Sequence, residues 1–207
     1  MTTLLCDPRV RRVPVRETDE PLVRLDADLS PGGALVRATL AVRLYAADAA
    51  LPSGVRLCVV EGYRPLERQR AIIDAYAGAV SAAHPGLGPD ELERLTSRFV
   101  APVDVAPHVA GAAVDLTLVD STGEALDLGT ALDATPEESD GRCYFAAAGI
   151  GADARAHREL LRRVLTAEGL VNYPTEWWHW SLGDRYWALA TGASHAPYGP
   201  LSAAVAA

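Results

Sequence analysis

The sequence predicts an α+β fold, a single domain with a central, mostly antiparallel sheet flanked by helices. Helical and strand-like segments follow one another without the regular β-α-β alternation of a parallel sheet. The 207 residues fit one domain, and 49% hydrophobic with 22% charged residues is a globular composition, not that of a disordered chain. One domain is therefore expected over residues 1–207, with 1–20 and 201–207 peripheral or frayed.

Apolar residues at intervals of three and four predict the helices. Leu40, Leu44 and Ala47 carry this spacing after a Pro-Gly-Gly break, and Pro65 suits the first turn of a second helix. The predicted helices cover residues 34–50, 65–83, 90–99 and 153–168.

Short β-branched, alternating or aromatic runs predict the strands. Between two of them, Asp120-Ser121-Thr122-Gly123 has the composition of a turn and predicts a hairpin. The predicted strands cover residues 55–60, 114–119, about 125–128 and 176–182, and the zinc site proposed below lies at this sheet.

The charge and the cysteines argue against several classes of protein. Acidic residues outnumber basic ones 27 to 19, the formal net charge is -8, and no basic patch stands out. Nucleic-acid and membrane partners are therefore not expected. Cys6, Cys58 and Cys143 form no CxxC pair, so neither a disulfide framework nor a thiolate zinc site is predicted. No signal peptide or membrane-spanning run is found, and a cytoplasmic protein is expected.

His108 and Asp115 form the first candidate metal pair. The histidine precedes a tight stretch with Gly111, and the aspartate lies between Val114 and Leu116 on a predicted strand. An aspartate in that position costs several kcal/mol unless it is paired or binds a metal, and zinc accepts imidazole and carboxylate ligands. The alternative is that Asp115 caps a neighbouring loop and His108 is an exposed turn residue.

Glu176 and His179 form a second candidate pair, three residues apart in the aromatic segment EWWHW. If this segment is extended, the two side chains project to different sides of the strand. That geometry suits a base beside a metal better than two ligands on one ion. The alternative is an aromatic core strand with a hydrogen-bonded histidine.

Taken together, His108, Asp115 and His179 supply three ligands and leave a fourth position for water, the pattern of a catalytic zinc site. Glu176 can then act as general base. Arg64 offers a fixed positive charge for the oxyanion that forms in a tetrahedral intermediate, unless it makes only a surface salt bridge.

Four blocks of sequence, spread over about residues 35–200, carry a family resemblance. They are EGYRP at 61–65, VAPHVAGAAVDLTLVD at 105–120, LDLGTALD at 126–133 and EWWHWSLGDRYWA at 176–188. The motifs HxxGxxxD and ExxH mark a wide superfamily of zinc carboxypeptidases, and the GYRP and EWWHW contexts narrow it. In order and content the blocks resemble the zinc D-alanyl-D-alanine dipeptidases, the family that includes the vancomycin-resistance dipeptidase.

The resemblance implies a zinc metallopeptidase that hydrolyses D-alanyl-D-alanine or a similar free D,D-dipeptide. It implies one zinc ion per chain, bound by His108, Asp115 and His179. It also implies that Glu176 is the catalytic base and that Arg64 stabilises the tetrahedral intermediate. A role in cell wall biogenesis, through recycling of wall precursors or antibiotic resistance, follows from the same resemblance.

Two further roles are implied by the resemblance alone. Asp133 lies where the family holds the free ammonium of the substrate, and Glu61 supports Arg64 where the family commonly has aspartate. The chain departs from the family at Ala106, where a serine commonly helps to recognise the dipeptide, and over residues 134–144. These departures place the substrate in doubt more than the metal chemistry.

Three alternatives follow from these observations. The same scaffold can serve a peptidoglycan D-alanyl-D-alanine carboxypeptidase, which should carry a signal sequence or a wall-binding module. It can also act on an unrelated small substrate, an alternative that Ala106 keeps open. A catalytically silent metal-binding module is the non-enzyme alternative, and the presence of both Glu176 and Arg64 argues against it.

Overall fold

A four-stranded antiparallel sheet organises the computed structural model, which describes residues 2–201. Its strands lie in the order Val55–Glu61 (β3), Ala113–Asp120 (β4), His179–Ser181 (β6) and Val171–Asn172 (β5). A separate ribbon pairs Leu22–Arg24 (β1) with Leu35–Arg37 (β2). Every strand pair in these two sheets is antiparallel, which confirms the predicted fold class.

The helices flank this sheet and largely follow the predicted pattern. They are Pro8–Arg12 (α1), Ala38–Ala49 (α2), Leu66–Ala83 (α3), Pro89–Thr96 (α4), Ala152–Ala167 (α5) and Arg185–Thr191 (α6). The helix predicted from residue 34 begins only at Ala38, because the preceding three residues pair with β1 as a strand. In residues 35–37, backbone pairing with β1 therefore outweighs the helical spacing of the apolar side chains.

Two predicted strands differ from the structure. The strand expected over 125–128 is reduced to a single bridge between Val119 and Ala125. The Asp120 carboxylate accepts the backbone N–H groups of Thr122 and Glu124, at 2.8 and 3.0 Å, and so closes a tight turn instead of a long hairpin. The strand expected over 176–182 is confined to β6, and residues 174–178 form turns.

The main hydrophobic core lies on one face of the sheet. Leu57 and Val59 of β3 and Leu116 and Leu118 of β4 are fully buried there, and the side chains that cover them come from α2, α5 and the aromatic segment. These covering residues include Leu40, Leu44, Leu161, Leu165, Trp177 and Trp180. Since side chains alternate along a strand, Asp115 points to the opposite face of β4.

The N-terminal segment is more integrated than expected. Leu5 and Val10 are buried in a second cluster that also contains Val105, Tyr173 and Tyr186. The expectation that residues 1–20 are peripheral is therefore wrong for this part of the segment. At the other end, Leu201 is buried, and the expected frayed tail at 202–207 lies outside the described residues.

The helices and the cysteines of the described residues 2–201 bear on two of the sequence predictions. None of its helices combines the length and the apolar character needed to cross a bilayer. Cys6, Cys58 and Cys143 are free in the described part of the chain.

A buried arginine holds the long loop between β4 and α5. Arg158 is 1% exposed and donates to the backbone carbonyls of Leu128 at 2.8 Å, Arg142 at 2.8 Å, and Tyr144 and Phe145 at 2.6 and 3.2 Å. These carbonyls lie at both ends of the loop, so one side chain closes it. Burial lowers the pKa of Arg158 to about 10, because removal of the guanidinium from water disfavours its charged form.

Replacing Arg158 should destabilise the protein strongly. In Arg158→Met the four carbonyls lose their donor, and each buried unsatisfied group costs about 1–3 kcal/mol. We expect urea unfolding to show a loss of at least about 3 kcal/mol in the free energy of unfolding. Arg163→Met, an exposed position on the same helix, is the control and should change it by less than about 0.5 kcal/mol. Equal losses in both variants would contradict this assignment.

Candidate active site

The register of the sheet brings three site residues into one row. Asp115 on β4 pairs with Glu61 on β3 and with His179 on β6, so the three residues lie side by side across three strands. A β-bulge between Val59 and Glu61 makes this possible, because Val60 is inserted there and is 53% exposed. Without that extra residue, Val60 would oppose Asp115.

His108 joins this row from the loop before β4. Gly111, with a φ of 65°, allows the tight turn between the histidine and the strand. The His108 carbonyl accepts the backbone N–H of Arg64 at 3.1 Å, and its Nδ1 lies 2.8 Å from the Gly62 carbonyl. Only a protonated Nδ1 can donate to a carbonyl, so Nε2 carries the lone pair in the neutral ring.

His108, Asp115 and His179 form a buried cluster with the composition of a metal site. One ligand atom from each residue lies within 4.8 Å of the others. Asp115 Oδ2 is 3.2 Å from His108 Nε2, Asp115 Oδ1 is 3.0 Å from His179 Nδ1, and the two ring nitrogens are 3.1 Å apart. The predicted ligands therefore converge as expected.

The donor set of this cluster fits zinc. Two imidazole nitrogens and a carboxylate oxygen are common zinc ligands, and the tautomer fixed by Gly62 directs the His108 Nε2 lone pair toward the other two. Although burial opposes ionisation, the two histidines hold the pKa of Asp115 far below its usual range, so this carboxylate is charged. These observations fit a single ion better than a structural hydrogen-bond network.

Glu176 reaches the cluster through a turn instead of a strand. Its backbone N–H donates to the Tyr173 carbonyl at 2.9 Å, and Asn172 Nδ2 donates to the carbonyls of Glu176 and His179, both at 2.9 Å. This closed turn brings Glu176 Oε2 to 3.8 Å from His179 Nδ1. The segment is not extended at Glu176, so the projection to different sides that an extended strand would give does not apply here.

The environment of Glu176 favours its protonated form. Burial raises its pKa well above the ordinary value, and the nearby carboxylates of Asp115 and Asp133 add to this effect while Arg64 opposes it. A carboxyl group with a raised pKa beside these candidate ligands can accept and donate a proton in a reaction.

Arg64 lies beside the cluster and is held from two sides. Its Nε donates to Glu61 Oε1 at 3.0 Å, its Nη2 donates to Glu61 Oε2, and its Nη1 donates to Gln69 Oε1 at 2.9 Å. Gln69 is itself fixed by donating to the Ala101 carbonyl at 2.7 Å. Arg64 Nη2 is 3.8 Å from Asp115 Oδ2, so its charge faces the ligands and is not part of a surface salt bridge.

Asp133 lies at the same cavity but not in the cluster. The cavity has a volume of about 210 Å³ and is lined by Glu61, Arg64, Asp133, Glu176 and the three candidate ligands, among others. Asp133 has a φ of 63°, a conformation that is uncommon outside glycine. Asp133 is exposed to solvent at the mouth of this cavity, but partial desolvation by the surrounding protein atoms, together with the Asp115 and Glu61 carboxylates, raises its pKa to about 6.

Three further groups were not found from the sequence. The Gly62 carbonyl, Gln69 and Asn172 position His108, Arg64 and Glu176, respectively. Nothing in the composition of these segments marks them, because their role depends on contacts across the fold. Ala106, the position that departs from the dipeptidase pattern, is buried and lines the cavity.

Comparison with known proteins supports the resemblance. The sequence profile of the family described as D-ala-D-ala dipeptidase, peptidase M15, matches residues 33–194. A D-alanyl-D-alanine dipeptidase of Synechocystis is 29% identical over 160 residues. That alignment covers 67% of this chain and 64% of the relative, so the chain spans less than two thirds of its length.

Two solved structures share the fold. VanYB in complex with D-alanine-D-alanine has a TM-score of 0.51 and 21% identity, covering 85% of this chain and 83% of that one. A Zn(II) complex of a mutant of the vancomycin-resistance D,D-pentapeptidase VanY has a TM-score of 0.50 and 20% identity, covering 81% and 82%.

The Gly62 carbonyl gives a test of how the cluster is positioned. A Cβ at Gly62 would come within 2.4 Å of the Leu35 carbonyl oxygen, so Gly62→Ala must shift the backbone that holds His108. Loss of such a supporting hydrogen bond typically costs about 10–100-fold in metal affinity. We expect a loss of this size in zinc affinity, measured by competition with a chelator.

Gly78→Ala is the matched control, since nothing lies within 4 Å of a Cβ at that helical position. It should leave zinc affinity unchanged. An unchanged affinity in Gly62→Ala would show that the carbonyl does not orient the histidine.

Proposed function

This chain belongs to the D-alanyl-D-alanine dipeptidase family, and from that membership we propose that it is a zinc metallopeptidase. We propose D-alanyl-D-alanine, or a similar free D,D-dipeptide, as its substrate. The convergence of His108, Asp115 and His179 within 4.8 Å carries the proposal, with Glu176 3.8 Å from one of them. A relative named D-alanyl-D-alanine dipeptidase and a solved neighbour bound to the same dipeptide support the substrate.

Zinc would be held by the three buried ligands. His108 Nε2, His179 Nδ1 and one Asp115 oxygen face one another, and a structural neighbour crystallised with Zn(II) supports the choice of metal. When bound, zinc polarises a carbonyl and lowers the pKa of a coordinated water toward about 7. Three protein ligands leave room for that water.

Glu176 is proposed as the general base and acid. Its carboxylate takes a proton from the attacking water and returns it to the nitrogen of the leaving amino acid. The raised pKa of Glu176 suits this cycle, because it makes the carboxylate a stronger base than an ordinary glutamate. The turn held by Asn172 keeps the carboxyl group beside the cluster.

Arg64 and Asp133 are proposed to recognise charge on the substrate. Arg64, supported by Glu61, places a guanidinium where negative charge develops on the scissile carbonyl oxygen. Within residues 2–201 no protein group donates a hydrogen bond to the Asp133 carboxylate, which leaves it available for a free ammonium. A cavity of about 210 Å³ is smaller than the roughly 300–1,000 Å³ of most ligand pockets and suits a dipeptide.

A different small substrate for the same chemistry is the second candidate. Ala106 brings a methyl group to the cavity in place of a hydroxyl, and residues 134–144 depart from the family. The cytoplasmic location, the role in the cell wall and the role in antibiotic resistance stay predictions.

The first experiment measures alanine release from D-alanyl-D-alanine by protein of known zinc content. The L,L and mixed isomers and the N-acetylated D,D-dipeptide are measured in parallel. Hydrolysis of the free D,D-dipeptide alone is expected. Hydrolysis of the acetylated dipeptide at an equal rate would favour a carboxypeptidase, and no hydrolysis by protein with one bound zinc would overturn the proposed substrate.

The role of Glu176 is tested by separating chemistry from metal binding. Glu176→Gln removes the base but no ligand, so it should keep its zinc while kcat falls by at least ~10²-fold. His179→Ala should instead lose zinc affinity itself. Metal content by elemental analysis and turnover are measured together. A Glu176→Gln variant with normal turnover would exclude this residue as the base.

The role of Asp133 predicts a pH dependence. An ammonium binds only the ionised carboxylate, so with a pKa of about 6 the KM for the free dipeptide should rise as pH falls below about 6. Asp133→Asn should raise KM at neutral pH and abolish this rise. Zinc content is checked at each pH, and a KM profile identical in both proteins would refute the assignment.

A further inference from the structure

We propose that Arg68 binds the C-terminal carboxylate of the substrate, an inference that rests on the proposed dipeptidase function. A free dipeptide is a zwitterion, and hydrolysis requires both of its ends to fit the cavity. Asp133 offers a partner for the ammonium end, whereas no partner for the carboxylate end has been assigned. Among the described residues that line the cavity, the arginines are Arg64 and Arg68.

Arg64 is already committed to protein partners. Three of its nitrogens donate to the two oxygens of Glu61 and to Gln69. A guanidinium held in this way can present its charge to a carbonyl oxygen but has few donors left for a carboxylate. Arg64 and Glu61 are both partly buried, so a change of partner by Arg64 would leave the Glu61 carboxylate without its cation.

Arg68 has the opposite character. Its side chain is 67% exposed, and its closest ionic partner is Glu61 Oε1 at 3.6 Å, beyond hydrogen-bonding distance. Glu61 already accepts two hydrogen bonds from Arg64, so it holds Arg68 only weakly. A long side chain with a free planar fork at the rim of a cavity suits bidentate recognition of a carboxylate.

The charges in the cavity favour a cation beside the substrate carboxylate. Glu61, Asp115, Asp133 and Glu176 all line it, and a substrate carboxylate would be repelled by these groups unless a cation lay beside it. The family serine that helps to recognise the dipeptide is replaced here by Ala106, which offers no hydrogen bond. The guanidinium of Arg68 can bind the substrate carboxylate, whereas the methyl group of Ala106 cannot.

The neighbourhood of Arg68 completes a small subsite. Ile72 lies one helical turn further along α3 and also lines the cavity, as do the apolar side chains of Phe99 and Val100. An apolar wall beside a cation is the environment that a residue with a methyl side chain and a free carboxylate requires. The structure therefore predicts a preference for substrates with a free C-terminus.

The test compares D-alanyl-D-alanine with its C-terminal amide. In Arg68→Ala we expect KM for the free dipeptide to rise by about 10-fold or more, with little change in kcat, because a charge-assisted hydrogen bond to the carboxylate is lost. KM for the amide should not change. Arg68→Lys, which keeps the charge, should restore part of the difference. Arg70→Ala, an exposed arginine of α3 that does not line the cavity, is the control and should behave as the wild type.

A binding measurement separates this inference from the proposed catalysis. Calorimetric titration of Glu176→Gln, with and without Arg68→Ala, gives the affinity for each intact dipeptide. Arg68-dependent binding of the free dipeptide without turnover in the wild type would overturn the proposed reaction while supporting the subsite. An equal loss for dipeptide and amide, or no loss for either, would overturn the role of Arg68.

Discussion

The arrangement of the candidate site depends on the stabilisation of one buried carboxylate, that of Asp115. Asp115 is 3% exposed in the middle of the central sheet, and an ionised carboxylate there is stable only if positive or hydrogen-bonding groups surround it. The strand register supplies His179 on one side, and the loop before β4 supplies His108. Because side chains alternate along a strand, shifting the register of β4 by one residue would turn Asp115 toward the apolar core. The buried carboxylate therefore favours the observed register of the strand.

Much of this arrangement could be predicted from the sequence, since the ligands lie in short motifs with recognisable spacing. The sequence also predicts β3, α3 and α5 to within a few residues, β3 from its β-branched run, α3 from Pro65 in its first turn and α5 from its helical periodicity. The strand at Leu35–Arg37 and the turn before β6 were missed. In both segments the backbone conformation is decided by partners distant in sequence, such as the Asn172 side chain that holds the turn.

Metal binding and substrate recognition are assigned to different parts of the architecture. The candidate ligands are fixed by the sheet, whereas Asp133 lies in the loop that Arg158 closes. Trp177 Nε1 adds a second attachment by donating to Thr130 Oγ1 at 2.8 Å, and Glu137 joins the loop to Tyr76 on α3 at 2.7 Å. Since these contacts mostly use backbone or peripheral groups, the sequence of 134–144 can change without disturbing the metal ligands.

The charge balance of the cluster explains why a divalent cation fits it. Glu61, Asp115 and Glu176 carry three carboxylates, and Arg64 provides the guanidinium that lies among them. Burial raises the pKa of Glu176, and this excess of negative charge adds to the effect, so its protonated form is favoured. A divalent cation would offset the same excess and release that proton. Binding of a divalent cation by His108, Asp115 and His179 would therefore favour the ionised form of Glu176, which is the form that accepts a proton from water.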